Sequence, residues 1–213
     1  MRIAIFGGTF DPIHNGHLAA AETVAGLFEV EEFHFVTSFS PPHKVGTRLT
    51  SPFHRFAMTA LAMAPFSRFQ ASTLELDYLD RRYTVDTLAE MARLFPEAQR
   101  LFVLGTDMYA EIDTWKDYRR LFELAHIVVV HRPGFTFRLD VAPFTTLEAN
   151  TTGVSVPSGP EAPTVFYAPF VEQPISSTRI RNEWASGGAV RQWVPPAVRR
   201  YIEKHNLYSQ ATS

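Results

Sequence analysis

Two short stretches of the chain place phosphate-handling residue types where helices begin. The first is Gly7-Gly8-Thr9-Phe10-Asp11-Pro12-Ile13-His14-Asn15-Gly16-His17, directly after an apolar run. Paired glycines behind a strand permit a tight turn and a close backbone approach to a ligand. A helix opening there offers free N–H groups and a partial positive charge. His14 and His17 are three positions apart and face the same way if both lie on the first turn, where imidazoles can donate to phosphate oxygens. The second stretch is Ile175-Ser176-Ser177-Thr178-Arg179-Ile180-Arg181, after Pro174. Hydroxyls, helix N–H groups and an arginine one turn on make a polyphosphate clamp. Each stretch also has a plainer explanation: two polar residues near a helix start, or an N-cap with spare hydroxyls. Zinc is a poor rival at the histidines, with no cysteine in the chain and no third ligand nearby. Two anion sites in one chain are harder to ascribe to chance than one.

The elements that must position these residues are legible as alternating runs. Residues 2–6, 33–37, 101–104 and 127–130 read as buried strands, with a fifth candidate at 164–168. Helical spacing recurs near 16–28, 52–64, 85–95 and 116–124, with Leu18, Ala21, Ala25 and Phe28 marking the first. Two more helices are expected near 177–186 and 196–205, where Pro195 or Pro196 suits a first turn. This order predicts an α/β fold, a doubly wound, mostly parallel sheet in one domain spanning 1–213, with C-terminal helices. Ligands of such sheets bind outside the carboxyl ends of the strands, where strand order reverses. About half of residues 133–163 are Pro, Gly, Ser or Thr, which predicts an irregular excursion with short strands at 135–139 or 154–156.

Composition removes whole classes of chemistry. The absence of cysteine excludes disulfide frameworks, thiolate metal sites and cysteine nucleophiles. A net charge of −2 over 213 residues carries no basic nucleic-acid or membrane-surface footprint. No run approaches the ~20 apolar residues of a membrane span. The run Ile3–Phe6 stops at Gly7, too early for a secretory peptide, so mature structure is expected from residue 2 and the location to be cytoplasmic. Neither G-x-G-x-x-G after the first strand nor G-x-x-x-x-G-K-[ST] is present. The phosphate loop is of another kind.

The pair GGTFDPIHNGH and ISSTRIR resembles the HxGH nucleotidyltransferase superfamily, and the fuller pattern resembles bacterial nicotinate-nucleotide adenylyltransferases. Pro41-Pro42-His43-Lys44, Tyr83-Thr84-Val85-Asp86-Thr87-Leu88, Leu104-Gly105-Thr106-Asp107, Trp115 and His131-Arg132-Pro133-Gly134 extend the likeness, so that it spans residues 3–181. The resemblance implies a Rossmann-like nucleotidyltransferase fold and adenylyl transfer from ATP to nicotinate mononucleotide, forming deamido-NAD and pyrophosphate. It implies that Gly8, Thr9 and Phe10 present backbone to ATP while His14 and His17 hold its phosphates, with His17 foremost at the α-phosphate. Ser177, Thr178 and Arg181 would grip the outer phosphates, and Gly105 and Asp107 would meet the ribose. Lys44 and Arg132 would serve the mononucleotide phosphate, with His43 near the polyphosphate. Trp115 would stack on the pyridine beside Tyr83 and Thr84.

A mononucleotide phosphate is already anionic at neutral pH, so that reaction requires no general base. Catalysis would be positioning and charge stabilisation, with Mg²⁺ bound mainly through ATP phosphates. Two departures lie on the mononucleotide side: Thr37-Ser38 stands where the family usually has Pro-Asn, and Asp80-Arg81-Arg82 where it usually has Gly-x-Ser. Arg82 either favours a carboxylated pyridine or is solvated surface. The rivals are an adenylyltransferase for nicotinamide mononucleotide or phosphopantetheine, and a nucleotide-binding sensor that kept the fold without the chemistry. No nucleic-acid or membrane partner is expected, and the sequence leaves open whether the chain forms a homo-oligomer.

Overall fold

The computed structural model describes residues 1–39, 49–77, 83–148, 151–157, 164–169 and 175–209. His43, Lys44 and Arg82, with the rest of the Pro41–Lys44 and Asp80–Arg82 segments, lie outside the described residues.

Apolar runs too short for helices became the centre of one sheet. Strands β1 (Arg2–Gly8), β2 (Glu32–Thr37), β3 (Phe69–Ser72), β4 (Gln99–Gly105), β5 (His126–Val130), β6 (Phe144–Thr146) and β7 (Val165–Ala168) stand in the order β3-β2-β1-β4-β5-β7-β6. Every neighbouring pair is parallel. The doubly wound expectation holds. Strand order reverses between β1 and β4, so the crevice there opens at Gly7-Gly8 and Gly105.

Because β1 and β4 are covered on both faces, alternate side chains enter two separate cores. Ala4, Phe6, Leu101 and Val103 pack with α1 (Asn15–Leu27), α2 (Pro52–Met63), α6 (Ser177–Glu183) and α7 (Pro196–Lys204). Ile3, Ile5, Phe102 and Leu104 pack with α3 (Thr84–Leu94), the short α4 (Thr106–Tyr109) and α5 (Tyr118–Leu124). This alternation is the period-2 geometry of a strand applied to a run with no polar residue. Pro196 occupies the first turn of α7, as its fixed φ suits.

Three elements differ from expectation. β3 reads Phe-Gln-Ala-Ser, four residues with two polar, and only its place at the sheet edge beside β2 makes it a strand. Within the 133–163 excursion the strand falls at Phe144–Thr146, not at 135–139 or 154–156. Phe137 instead stacks its ring on those of Tyr109 and Tyr167, at 5.1 and 4.2 Å and nearly parallel to both, in an irregular segment. Val154 and Val156 are buried, but Val154 N–H donates to Leu27 at the end of α1 and the Val156 carbonyl accepts from the Gln99 side chain. Finally, 116–124 is helical only from Tyr118, because Asp117 takes a left-handed conformation (φ 50°). Among the described residues no helix is long and apolar enough to cross a membrane.

Candidate active site

The two glycines of the first motif do not make the turn. Gly7 and Gly8 remain in β1, in register with Val36 and Thr37. The left-handed residue is Phe10, at φ 47°. Its ring folds back over Gly8, where a Cβ would stand 2.7 Å from ring carbons. Glycine at position 8 therefore makes room for an aromatic ring that then meets Phe6 edge-on at 5.8 Å and His17 edge-on at 5.2 Å. The turn carries the chain over the end of the sheet and into α1.

His14 and His17 begin that helix by capping each other. His14 is the N-cap, and its Nδ1 accepts from the His17 N–H at 3.3 Å. In return the His17 Nδ1 accepts from the His14 N–H at 3.2 Å. The rings stack at 3.6 Å with 20° between planes. An Nδ1 that accepts cannot carry a proton, so this network assigns both neutral rings their hydrogen at Nε2. His14 is 3% exposed, and its Nε2 has no hydrogen-bond partner among the described residues. Burial, and secondarily the charge of Arg132, lower its pKa from 6.5 to about 3. At neutral pH it is a neutral ring in the cavity lining, with its Nε2 buried. The α1 N-terminus offers fewer free groups than expected, since Asn15 N–H is taken by the Trp193 carbonyl and His17 N–H by His14.

The second motif meets the first. Ser176 caps α6, accepting from Arg179 N–H. Ser177 donates its hydroxyl to the Pro12 carbonyl at 2.9 Å, fastening α6 to the histidine loop. Thr178 accepts from Arg181 at 3.3 Å. Arg181 does not line the cavity: its guanidinium also holds the Asp11 carbonyl at 2.7 Å, which braces the loop from outside.

Across the sheet edge, α3 and the segment after α4 supply a different wall. Tyr83 N–H donates to Asp86, fixing the start of α3. Tyr83 carries Lys116 over its ring at 4.7 Å. Trp115 is half-buried, edge-on to Phe102 at 6.4 Å, with an indole surface left to the cavity. Asp107 and Arg132 form an ion pair at 2.5 Å. The other Asp107 oxygen is buried without a partner among the described residues. It stands so close to Gly105 that a Cβ there would collide with it. Arg132 is held in turn by Thr106, whose Oγ1 accepts from its N–H at 2.9 Å.

One cavity of about 450 Å³ joins both walls. Gly8, Thr9, Phe10, His14, His17, Ser177 and Thr178 line one side, and Tyr83, Thr84, Gly105, Asp107, Trp115 and Arg132 the other. His14, His17, Ser177 and Thr178 gather imidazoles and hydroxyls on one side, while Tyr83 and Trp115 bring aromatic surface beside the Asp107–Arg132 pair on the other.

A family model described as cytidylyltransferase-like matches residues 5–183. A probable nicotinate-nucleotide adenylyltransferase of Thermus thermophilus is 44% identical over 209 residues, covering 98% of this chain and 100% of the relative. One from Frankia alni is 41% identical, over 95% and 97% of the two chains. The chain belongs to the nicotinate-nucleotide adenylyltransferase family. The fold agrees with that family: the Plasmodium falciparum nicotinic acid mononucleotide adenylyltransferase complexed with NaAD matches at a TM-score of 0.74, 22% identity and 97% coverage of each chain.

Within this family frame, several cavity residues escaped the sequence reading. Glu75, Thr87, Met108 and Lys116 line the wall around Tyr83 and Trp115, and Thr87 donates to Glu75 at 2.8 Å. Thr87 stands in the quoted Tyr83–Leu88 segment, so its signal was present. Glu75 sits in a non-repetitive turn after β3, where no local pattern marks a carboxylate as buried. Asp11, in the middle of the first motif, points away from the cavity and into a buried network.

Proposed function

We propose that this chain transfers the adenylyl group of ATP to nicotinate mononucleotide, releasing pyrophosphate and forming deamido-NAD. The observation that carries this reading is the meeting of both phosphate motifs and an aromatic wall in one cavity at the strand-order reversal. Relatives of that name along the full chain support it.

The mononucleotide phosphate oxygen attacks the α-phosphorus of ATP, a new P–O bond forms, and the bond to the pyrophosphate oxygen breaks. No proton need leave the nucleophile, so the site asks for donors instead of a base. His14 and His17, neutral with Nε2–H, donate to phosphate oxygens as charge moves onto them; a donor of this kind is worth ~10²–10³ in rate. Ser177 and Thr178 face the outer phosphates, with Arg181 bracing the loop between them. Gly8, Thr9 and Phe10 give backbone to the nucleotide. The free oxygen of Asp107 and the adjacent Gly105 receive ribose hydroxyls. Arg132 meets the mononucleotide phosphate, and Trp115 stacks on the pyridine beside Tyr83 and Thr84. By the family resemblance Lys44 serves the mononucleotide phosphate and His43 the polyphosphate; both lie outside the described residues.

The donor set fits a magnesium ion that arrives with the nucleotide. The cavity end near His14 offers imidazoles and hydroxyls, and the described residues contain no cluster of three His, Cys, Asp or Glu that could cage a metal. When bound with the nucleotide, such an ion would supply charge neutralisation on the polyphosphate beside His14, His17, Ser177 and Thr178. The setting of this reading is a cytoplasmic, single-domain enzyme acting on small anionic substrates, and a net charge of −2 carries no broad basic footprint for nucleic acid or a membrane surface.

The test is pyrophosphate release with ATP and Mg²⁺, offering nicotinate mononucleotide, nicotinamide mononucleotide and phosphopantetheine in parallel. Release with the acid at the highest kcat/KM is expected. Release with neither pyridine mononucleotide overturns the reading.

A further inference from the structure

Behind the histidine loop lies a network that no step of adenylyl transfer uses. Arg55, on α2, is 1% exposed and makes no ion pair among the described residues. Its guanidinium instead donates to three carbonyls on three separate segments. Nη1 reaches Thr9 in the motif turn at 2.7 Å, Nη2 reaches Phe39 beyond β2 at 3.0 Å, and Nε reaches Thr50 before α2 at 3.0 Å. A buried cation spent wholly on backbone is costly unless those carbonyls must be held. Two residues along the same turn, Asp11 is also 1% exposed. Its carboxylate accepts from the Tyr208 hydroxyl at 2.6 Å and from Thr50 N–H at 3.1 Å. Tyr208 comes from the far end of the chain, beyond α7.

Between these two anchors stands Phe10, the residue with φ 47°. A phenylalanine rarely adopts that conformation, and such residues persist where the surroundings over-determine them. Here Thr9 is held on one side and Asp11 on the other. The ring so placed packs edge-on against His17 at 5.2 Å.

We propose that Arg55 and Tyr208 are positioning residues of the nucleotide site: together they fix the Thr9–Asp11 turn from its buried side, and through Phe10 they set where the His17 imidazole stands. Neither touches the cavity. Lysine cannot replace Arg55, because one ammonium on a flexible stem cannot serve three carbonyls lying in different directions. Phenylalanine at 208 keeps the ring and removes the hydroxyl, with its bond to Asp11 at 2.6 Å and its weaker contact with the Met58 sulfur at 4.0 Å. The kinetic part of this inference rests on the adenylyl-transfer reading; the placement of His17 does not.

The experiment compares wild type with Tyr208→Phe, Arg55→Lys and the double variant. With ¹⁵N-labelled histidine, the ring resonances of His17 are expected to shift in each variant, while circular dichroism stays unchanged. In turnover, Arg55→Lys lowers kcat by ~10², the scale of a misplacement near 1 Å. Tyr208→Phe lowers kcat by ~10-fold, and the KM for the mononucleotide stays within about twofold in both. The double variant falls short of the product of the singles, because both act on one turn. Folded variants with wild-type His17 resonances and wild-type kcat overturn the proposal. If Arg55→Lys does not fold, Tyr208→Phe decides alone. If the wild type itself shows no turnover, the adenylyl-transfer reading fails, and the His17 resonances still decide this one.

Discussion

The capping job of His14 and the phosphate-donor job proposed for it pull in one direction. As an N-cap it must keep Nδ1 free of a proton, and as the proposed donor it must keep one on Nε2; only the neutral ring does both. Burial enforces that form by lowering the pKa from 6.5 to about 3. The unfolded chain therefore binds a proton in that window that the folded chain does not, and stability falls as pH drops from 6.5 toward 3. The slope from this one group reaches ~1.4 kcal/mol per pH unit inside the window. His14→Asn keeps a good cap and removes the titration. Its chemical-denaturation stability is expected to fall less steeply than wild type between pH 6 and 4, an interval chosen inside that window. Parallel slopes would show that His14 is not held neutral by the fold. The same variant is expected to lose ~10²–10³ in kcat at pH 7.5. Asp107 offers a second residue-scale test, since Asp107→Asn leaves Arg132 without its ion-pair partner. The KM for ATP is expected to rise several-fold in steady-state kinetics, and an unchanged KM would remove the ribose role.

At the scale of elements, the β1–α1 connection shows what local pattern can and cannot reveal. The motif marked the connection as a phosphate loop, and the glycines suggested the turn. Yet the positive φ fell on Phe10, because Gly8 was needed to admit that residue's ring. Which of two neighbours turns depends on packing against Phe6 and His17, and no one-dimensional pattern encodes that. Gly8→Ala is expected to displace the Phe10 ring, which is walled in by Phe6 and Phe35, and to cost ~1–3 kcal/mol in thermal unfolding. Loss of that stability without loss of activity would mean the ring does not place His17. Central strands and long helices were legible because their runs are continuous or strictly periodic. β3 and β6 were not, since each is short and owes its strand state to one neighbour, β2 or β7. The two phosphate motifs were readable in sequence, whereas Arg55, Asp11 and Tyr208 were not. Their partners are backbone carbonyls and residues up to 197 positions away, and such contacts leave no local signal.

For the molecule as a whole, a chain with net charge −2 handles two polyanions by concentrating donors at one place. The strand-order reversal supplies the place, and the two faces of the sheet supply different walls: imidazoles and hydroxyls from α1 and α6, aromatic surface from α3 and Trp115. In the proposed reaction, the junction of these walls at the carboxyl ends of β1 and β4 is where a phosphate oxygen meets the α-phosphorus. The most direct measurement follows that phosphorus: ATP labelled at the α-phosphate is incubated with Mg²⁺, nicotinate mononucleotide and the enzyme, and the labelled products are separated. The label is expected in deamido-NAD, in amounts equal to the pyrophosphate released. Label remaining in ATP, or appearing only in AMP, would contradict adenylyl transfer to the mononucleotide.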